Sequence, residues 1–311
     1  MTDNDWTAEQ IGALIRQCFV ADEGRQLVSV DFSQIEARVL LWLAGDEEGL
    51  EVFRRFDAKA GPDAYCVVAT KMFGEPVTKE DPRRQAGKVA TLGAGFGAGP
   101  DALDRYAAKQ NINLADAGTT SLAVVEGWRR ATPLVAGREI GKTFVDEKGR
   151  ERQVRRGGLW RELESAARDA IQGGDGSPWW RFDGTDLYLL LPSGRAMRYR
   201  HARVEAHEKH GKVKDTILFF NPEKNRRVAT YGGKLTENLV QAVARDLLAD
   251  AMVRVEEVAP IVMHTHDNIV AESDRPEEHL AEILQIMTTP PAWAAGLPVG
   301  ADGHFGRRFT K

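Results

Sequence analysis

The sequence predicts an α+β fold, an antiparallel sheet backed by helices on one face, with a helical lobe inserted between its first strand and the rest. Three observations predict it. A short apolar strand pattern stands near the start, a long mostly helical stretch follows, and strand-type alternation bounded by turn residues returns only after about residue 185.

The elements follow in order. Residues 26–32, QLVSVDF, are rich in Val and Leu and read as a buried strand. Ser33 then starts a helix carrying Ile35, Val39, Leu40 and Leu43 on one face, so the strand delivers Asp31 at its end. From about Glu47 to about Ala170 the pattern is mostly helical, broken at Gly61-Pro62, Glu75-Pro76, Asp81-Pro82 and the glycine-rich LGAGFGAG. The segments DLYLLLPSGRAMRYRHARVEAH and TILFFN alternate apolar with basic residues around a Ser193-Gly194 turn, which predicts a basic antiparallel hairpin. Residues 235–254 form a long amphipathic helix, followed by the strand PIVMHTH, a tight turn at Asp267-Asn268 and the strand IVAES. GGDGSP at 173–178 and the Pro/Ala-rich stretch near 289–298 are the candidate linkers, and no internal repeat appears.

At 311 residues the chain can bury a real core without a covalent staple. Its 42% hydrophobic and 28% charged composition is ordinary for a globular protein, and no stretch is apolar enough to cross a bilayer, so no membrane partner is expected. The N-terminal MTDNDWTAEQ is acidic and polar where a signal peptide would be basic and then apolar, which implies a cytoplasmic address. Cys18 and Cys66 lie far apart without CxxC spacing, which excludes a disulfide framework and a structural zinc site. The net charge of −4 speaks against nucleic acid as a partner, but its distribution does not. Basic residues gather at Arg150, Arg152, Arg155, Arg156 and Arg161, and again at Arg195, Arg198, Arg200, Arg203, Lys209, Lys212 and Lys214. Taken alone, such runs fit solvated hairpins as well as a phosphate-binding surface.

Two carboxylates on adjacent strand ends can share divalent cations and clamp an in-line phosphoryl displacement, and Asp31 and Asp267 fit that pattern. An Asp in such a place is more often a cap or turn former, so the pair needs further support. Glycines 93, 95, 97 and 99 follow a helical pattern where a dinucleotide fingerprint would follow a strand. His264 and His266 alternate along one strand but have no third ligand at zinc spacing.

The support comes from three segments. DFSQIEARVL at 31–40, RRQAGKVATLGAGFG at 83–97 and HDN at 266–268 resemble, in order, the three signature motifs of the family A DNA polymerases. IRQCFVADEGRQLVSVDF, DAYCVVATKMFG, LPSGRAMRY, ENLVQAVARDLLADAM and LPVGADGHFG extend the resemblance from about residue 15 to the C-terminus, with wording closest to phage and prophage relatives. It implies a right-hand polymerase core with a palm formed by residues 1–45 and 185–311 and inserted helical fingers at 46–184. It also implies template-directed addition of deoxynucleotides to a primer 3′ end by two-metal phosphoryl transfer, in the cytoplasm of a bacterial host cell.

Carried over residue by residue, Asp31 and Asp267, helped by the carbonyl of Phe32, would hold two Mg²⁺ ions, with Mn²⁺ as an alternative. Arg84 and Lys88, one helical turn apart, would meet the triphosphate, and Lys88 would donate a proton to pyrophosphate. Gln34, Glu36, Tyr65, Leu92 and Phe96 complete the implied nucleotide pocket. Glu36 would exclude a 2′-hydroxyl, and Tyr65 stands where many relatives have a phosphate-touching His. Leu92 replaces the usual Phe or Tyr, and Phe96 the usual Tyr. Gln241, His266 and Asn268 would face the primer–template, and Asn268 stands in place of the family's Glu, removing one negative charge.

In relatives the thumb and exonuclease precede the first motif, so a separate polypeptide supplying them is an expected partner, and neither proofreading nor a strong duplex grip is expected of this chain. Extra length around 145–185 and 201–225 brings Trp160, Trp179 and Trp180, which would grip DNA or a partner, or pack in the core. Two alternatives stay open. One is a weak or inactive polymerase-like DNA-binding accessory protein; the other is a terminal transferase, primase-like or repair enzyme.

Overall fold

In chain order the elements are α1 (Ala8–Gln17), β1 (Gln26–Phe32), α2 (Ile35–Leu43), α3 (Glu47–Asp57), α4 (Ala64–Phe73), α5 (Arg83–Gly93), α6 (Pro100–Lys109), a 3₁₀ turn (Leu114–Ala117), α7 (Ser121–Ala131) and α8 (Pro133–Ala136). There follow β2 (Arg138–Val145), β3 (Glu151–Arg156), α9 (Leu159–Ile171), β4 (Trp180–Phe182), β5 (Leu187–Leu190), β6 (Ala196–Lys209), β7 (Lys212–Asn221) and β8 (Arg226–Thr230). The chain closes with α10 (Gly232–Glu256), β9 (Ile261–Thr265), β10 (Asn268–Ser273), α11 (Pro276–Thr288), a second 3₁₀ turn (Ala292–Ala294) and β11 (Ala301–Gly306). This computed structural model describes residues 8–309 apart from 147, 175, 176, 210 and 211; part of the 173–178 linker therefore lies outside the described residues. Among those described, no helix is long and apolar enough to cross a membrane.

The chain divides into two compact units. The first comprises residues 1–35 and 244–311. Its antiparallel sheet has the order β11-β1-β10-β9, so the first strand of the chain is central and the last is an edge. That placement explains why QLVSVDF is apolar on both faces: Val28, Val30 and Phe32 point one way and are buried, and Ser29 on the other face is buried too. α11 packs on β1 and β11. A side chain at Gly303 would meet Leu280 Cδ1 and Val30 Cγ2 at 2.7 Å, so the last strand needs glycine there to let the helix close. Ala21, Leu27, Val270 and Phe309 form a further buried cluster, each large side chain contributing about 1.5–3 kcal/mol.

The second unit comprises residues 36–243 and holds α3 to α9 with two further antiparallel sheets, β2-β3 and β4-β5-β6-β7-β8. α5 packs on α4 and α7, and α9 packs on β4, β5 and β6. The hairpin β2–β3 departs from the expected helical stretch. Its turn is fixed locally: the Asp146 carboxylate accepts from the amides of Lys148 and Arg150, and Gly149 adopts a φ of 74°. Arg138 to Arg156 therefore reads as strand–turn–strand once the Asp-x-x-Gly turn is recognised.

The first basic run has a structural destination. Arg152 and Arg155 are buried, and both donate to Glu126 of α7, at 2.6 and 2.9 Å. Arg155 also reaches Glu139, and Arg150 pairs with Asp146 and Asp101. These arginines fasten the hairpin to the helices. Two of the three singled-out tryptophans are likewise structural. Trp180 is buried against Tyr199, and Trp160 stacks on Trp128 with centroids 5.9 Å apart while its Nε1 donates to the Gly95 carbonyl.

Candidate active site

In the first unit the site begins with strand register. β1 pairs antiparallel with β10, placing Asp31 opposite Asn268, and the Phe32 amide donates to the Asp267 carbonyl at 3.1 Å. The backbones of Asp31 and Asp267 therefore meet at neighbouring strand ends. Asn268 pairs back with Thr265, so the tight turn is His266-Asp267, one residue earlier than the sequence suggests. His266 takes a left-handed φ of 57° there, and Asn268 begins the ladder. Asp31 and Asp267 are half-buried, while His266 is 72% exposed with its Nδ1 3.2 Å from Asp267 Oδ1.

Asn268 is only 4% exposed, and its amide nitrogen donates to Ser29 Oγ at 3.0 Å. Ser29 and Asp31 lie two apart on β1 and share a face, so this bond locks the strands beside the carboxylate. Phe32 is buried. Gln34 adopts a φ of 54°, and its Oε1 is buried with no hydrogen-bond partner, an orphaned acceptor at the loop that leads into α2. Asp302 of β11 faces Asp31 from the other side in register, a carboxylate that the motif reading did not single out. Among the described residues no group of three or more His, Cys, Asp or Glu stands together as a ready metal site.

In the second unit the nucleotide-side residues gather around the start of α5. Arg84 Nε donates to Asp63 Oδ2 at 2.8 Å, and its guanidinium lies 5.4 Å from the Tyr65 ring centroid. Asp63 caps α4 by accepting from the Cys66 amide. Burial acts to raise the Asp63 carboxyl, but the Cys66 amide and the Arg84 guanidinium together hold it below its usual range. Lys88 follows one turn later, half-buried and without an ion pair among the described residues. Gly87 lies between them. A Cβ there would stand 2.1 Å from the Tyr65 carbonyl oxygen, so α4 and α5 approach closely only because this position is glycine.

Leu92 continues the helix at intermediate exposure, and Phe96 lies in the turn after it, where its carbonyl approaches Gly233 of α10. Glu36 opens α2, where a carboxylate suits the helix N-terminus. Tyr106 of α6 was not foreseen. Burial pushes its phenol above the usual value, with the Glu36 carboxylate adding to the effect. Burial raises Tyr65 as well, with Tyr106 the next contributor, so Glu36, Tyr65 and Tyr106 form one neighbourhood. Gln241 is exposed on α10.

Comparison with known proteins gives this geometry a context. Residues 6–122 match the model of "DNA polymerase family A". The chain is 36% identical, over 97% of its own length, to the DNA polymerase of Bacillus phage SP02. The chain belongs to DNA polymerase family A. It spans 44% of the length of that phage relative. Other relatives match more locally: the DNA polymerase of Mycobacterium phage D29 is 32% identical over 42% of this chain and 18% of the relative, and the thermostable DNA polymerase I of Thermus thermophilus is 36% identical over 46% of this chain and 15% of the relative. The fold is similar to the POL domain of Pol1 from M. smegmatis, solved in complex with DNA primer-template and dNTP, with a TM-score of 0.57 at 18% identity, covering 98% of this chain and 44% of that one.

Proposed function

We propose that this family A chain performs template-directed DNA synthesis, adding deoxynucleotides from their triphosphates to the 3′ end of a primer on primer–template DNA. The observation that carries this reading is the β1–β10 register, which sets Asp31 across from the residue following Asp267. In this reading residues 1–45 and 185–311 serve as palm and 46–184 as fingers.

Two carboxylates on neighbouring strand ends form a hard oxygen donor set that suits Mg²⁺, an ion that keeps several waters and takes one or two carboxylates together with substrate phosphates. Asp31 and Asp267, with the Phe32 carbonyl, would hold two such ions, or Mn²⁺. Bound there, the ions supply charge stabilisation to the attacking and leaving oxygens. The other roles belong to the chain itself. With Nε engaged by Asp63, Arg84 keeps its terminal nitrogens for a phosphate, and Tyr65 adds a hydroxyl. Lys88, without an ion pair among the described residues, binds phosphate and protonates the departing pyrophosphate. Glu36 fills the space of a 2′-hydroxyl, while Gln34, Leu92 and Phe96 bound the sugar and base. Gln241 and His266 contact the duplex, and Asn268 serves it by holding β10 to Ser29.

Primer extension with Mg²⁺ or Mn²⁺ and four deoxynucleotides tests the reading. Asp31→Ala should abolish incorporation, and extension that survives the substitution overturns it. The neutral Asn268 in place of a carboxylate favours a second reading, a DNA-binding accessory without catalysis. Duplex binding with no incorporation under either metal would select that one.

A further inference from the structure

We propose that the outer face of the β4–β8 sheet is a second phosphate-binding surface, one that grips the DNA backbone through Arg200 and Arg227. These strands carry none of the three motifs. The inference rests on the polymerase reading only for its choice of ligand.

The strand registers build the face. Arg200 of β6, Phe220 of β7 and Arg227 of β8 form one cross-strand row, and Arg203, Leu218 and Ala229 form the next. On the near side, Arg181, Tyr188 and Arg198 make a third row across β4, β5 and β6. Residues directly opposite one another share a face, and Arg198 and Arg200 are two apart on one strand, so all three rows point the same way. The other face carries Trp180, Leu187, Leu189 and Tyr199, all buried, with α9 packed on these strands. The arginine face is the more open one: Arg181, Arg198, Arg200, Arg203 and Arg227 are all exposed, while Tyr188 and Phe220 are half-buried and Leu218 is buried among them.

The charges on this face are unequally satisfied. Arg198 pairs with the buried Asp186, Arg203 pairs with Glu205, and Arg181 donates to the Ser177 and Trp180 carbonyls. The side chains of Arg200 and Arg227 have neither an ion pair nor a hydrogen bond among the described residues, and they flank Phe220 about 10 Å apart by strand spacing. The side chains of Lys209, Lys212 and Lys214 lie outside the described residues. Charged residues commonly protect sheet edges, which would account for Arg227 on the edge strand β8. It does not account for Arg200 and Arg203, which lie on β6 in the interior of the sheet. On a chain of net charge −4, a face with five exposed arginines and interleaved aromatic rings has the chemistry of a nucleic-acid backbone site. The arginine run 150–156, whose members are mostly paired with carboxylates, lacks it.

The test uses the whole chain and a fluorescent primer–template duplex in EDTA without nucleotide, so that binding is read apart from the metal site. Replacing both Arg200 and Arg227 with Gln should lower the magnitude of the salt slope, log K against log salt, by about 1.8, which makes the affinity lost between about 50 and about 200 mM salt smaller by roughly twelve-fold. A control removing two exposed charges elsewhere, Lys59→Gln with Lys109→Gln, should leave the slope unchanged. Single-nucleotide incorporation at saturating duplex should also persist in the Arg200/Arg227 variant; its loss there would implicate the catalytic reading instead. An unaltered slope, or an equal change in the control, overturns the proposal. So does binding of the face to vesicles of anionic phospholipid without any effect of the two substitutions on DNA.

Discussion

The Glu126 network makes a sharp prediction because two buried guanidiniums depend on one carboxylate. Arg152 and Arg155 are 8% and 4% exposed, and both donate to Glu126, while Arg129 stands 3.8 Å from it. The neighbourhood is already rich in cations: burial, reinforced by Arg152, pushes Arg129 down to about 10 despite Glu126. Glu126→Gln keeps the shape and removes the charge. Breaking a buried ion pair by deleting one partner costs roughly 3–5 kcal/mol, and the lower end applies because Glu139 and Asp146 remain as partial partners. A loss of about 3 kcal/mol corresponds to a urea midpoint roughly 1 M lower and a Tm roughly 6–10 °C lower. Tryptophan fluorescence is the suitable probe, since Trp128 and Trp160 stack beside Arg129. The same variant should leave the salt slope of DNA binding unchanged. An unshifted midpoint together with an altered slope would refute the assignment, because it would mean that these arginines face DNA rather than the core.

Further outcomes follow from single contacts. Gly87→Ala should destabilise the chain by at least about 2 kcal/mol in denaturant unfolding and raise KM for nucleotide, since its Cβ would overlap the Tyr65 carbonyl and force α4 from α5. Ser29→Ala should cost about 1–3 kcal/mol by leaving the buried Asn268 amide without its partner, read as a lower urea midpoint. The His201 amide holds the Asp186 carboxyl below its usual range, with Arg198 assisting against burial, so its contribution to stability is present above the unfolded value near pH 3.9 and is lost as pH falls through the folded one. Asp186→Asn should therefore flatten the acid limb of a stability–pH curve. Asp63→Asn keeps the α4 cap but removes the charge that orients Arg84; KM for deoxynucleotide should rise about five-fold or more with kcat little changed, and a lower KM would mean that Asp63 holds Arg84 away from phosphate.

Much of the first unit was legible because its signals are local and periodic. QLVSVDF announces a strand buried on both faces, and the helix at 235–254 announces itself by its apolar repeat. The β2–β3 hairpin was not legible from periodicity, since its strands are rich in charge and the first is exposed along nearly its whole length; the Asp146–Gly149 turn was the signal that could have found it. The fate of the two arginine runs was hidden for another reason. In sequence they look alike, but the carboxylates that pair with the first, Glu126 and Glu139, come from α7 and from the facing strand β2, and among the described residues Arg200 and Arg227 meet no such partner. Tyr106 and Asp63 escaped notice likewise, because what matters about them is a neighbour on another element.

Asn268 illustrates how burial constrains chemistry at the carboxylate pair. At 4% exposure, with the Ser29 hydroxyl as its side-chain partner, an ionised Glu or Asp in its place would face a desolvation cost of several kcal/mol unless a cation stood beside it. An amide avoids that cost and still spans to Ser29 in the next strand. The negative charge at these strand ends is then carried by Asp31 and Asp267, both half-exposed, and by the exposed Asp302. A buried neutral residue that fixes register beside accessible charged ones is a sound division of labour. The register needs the dry, directional bond that an amide gives, whereas carboxylates that would receive a hydrated cation in the proposed reading need an open side.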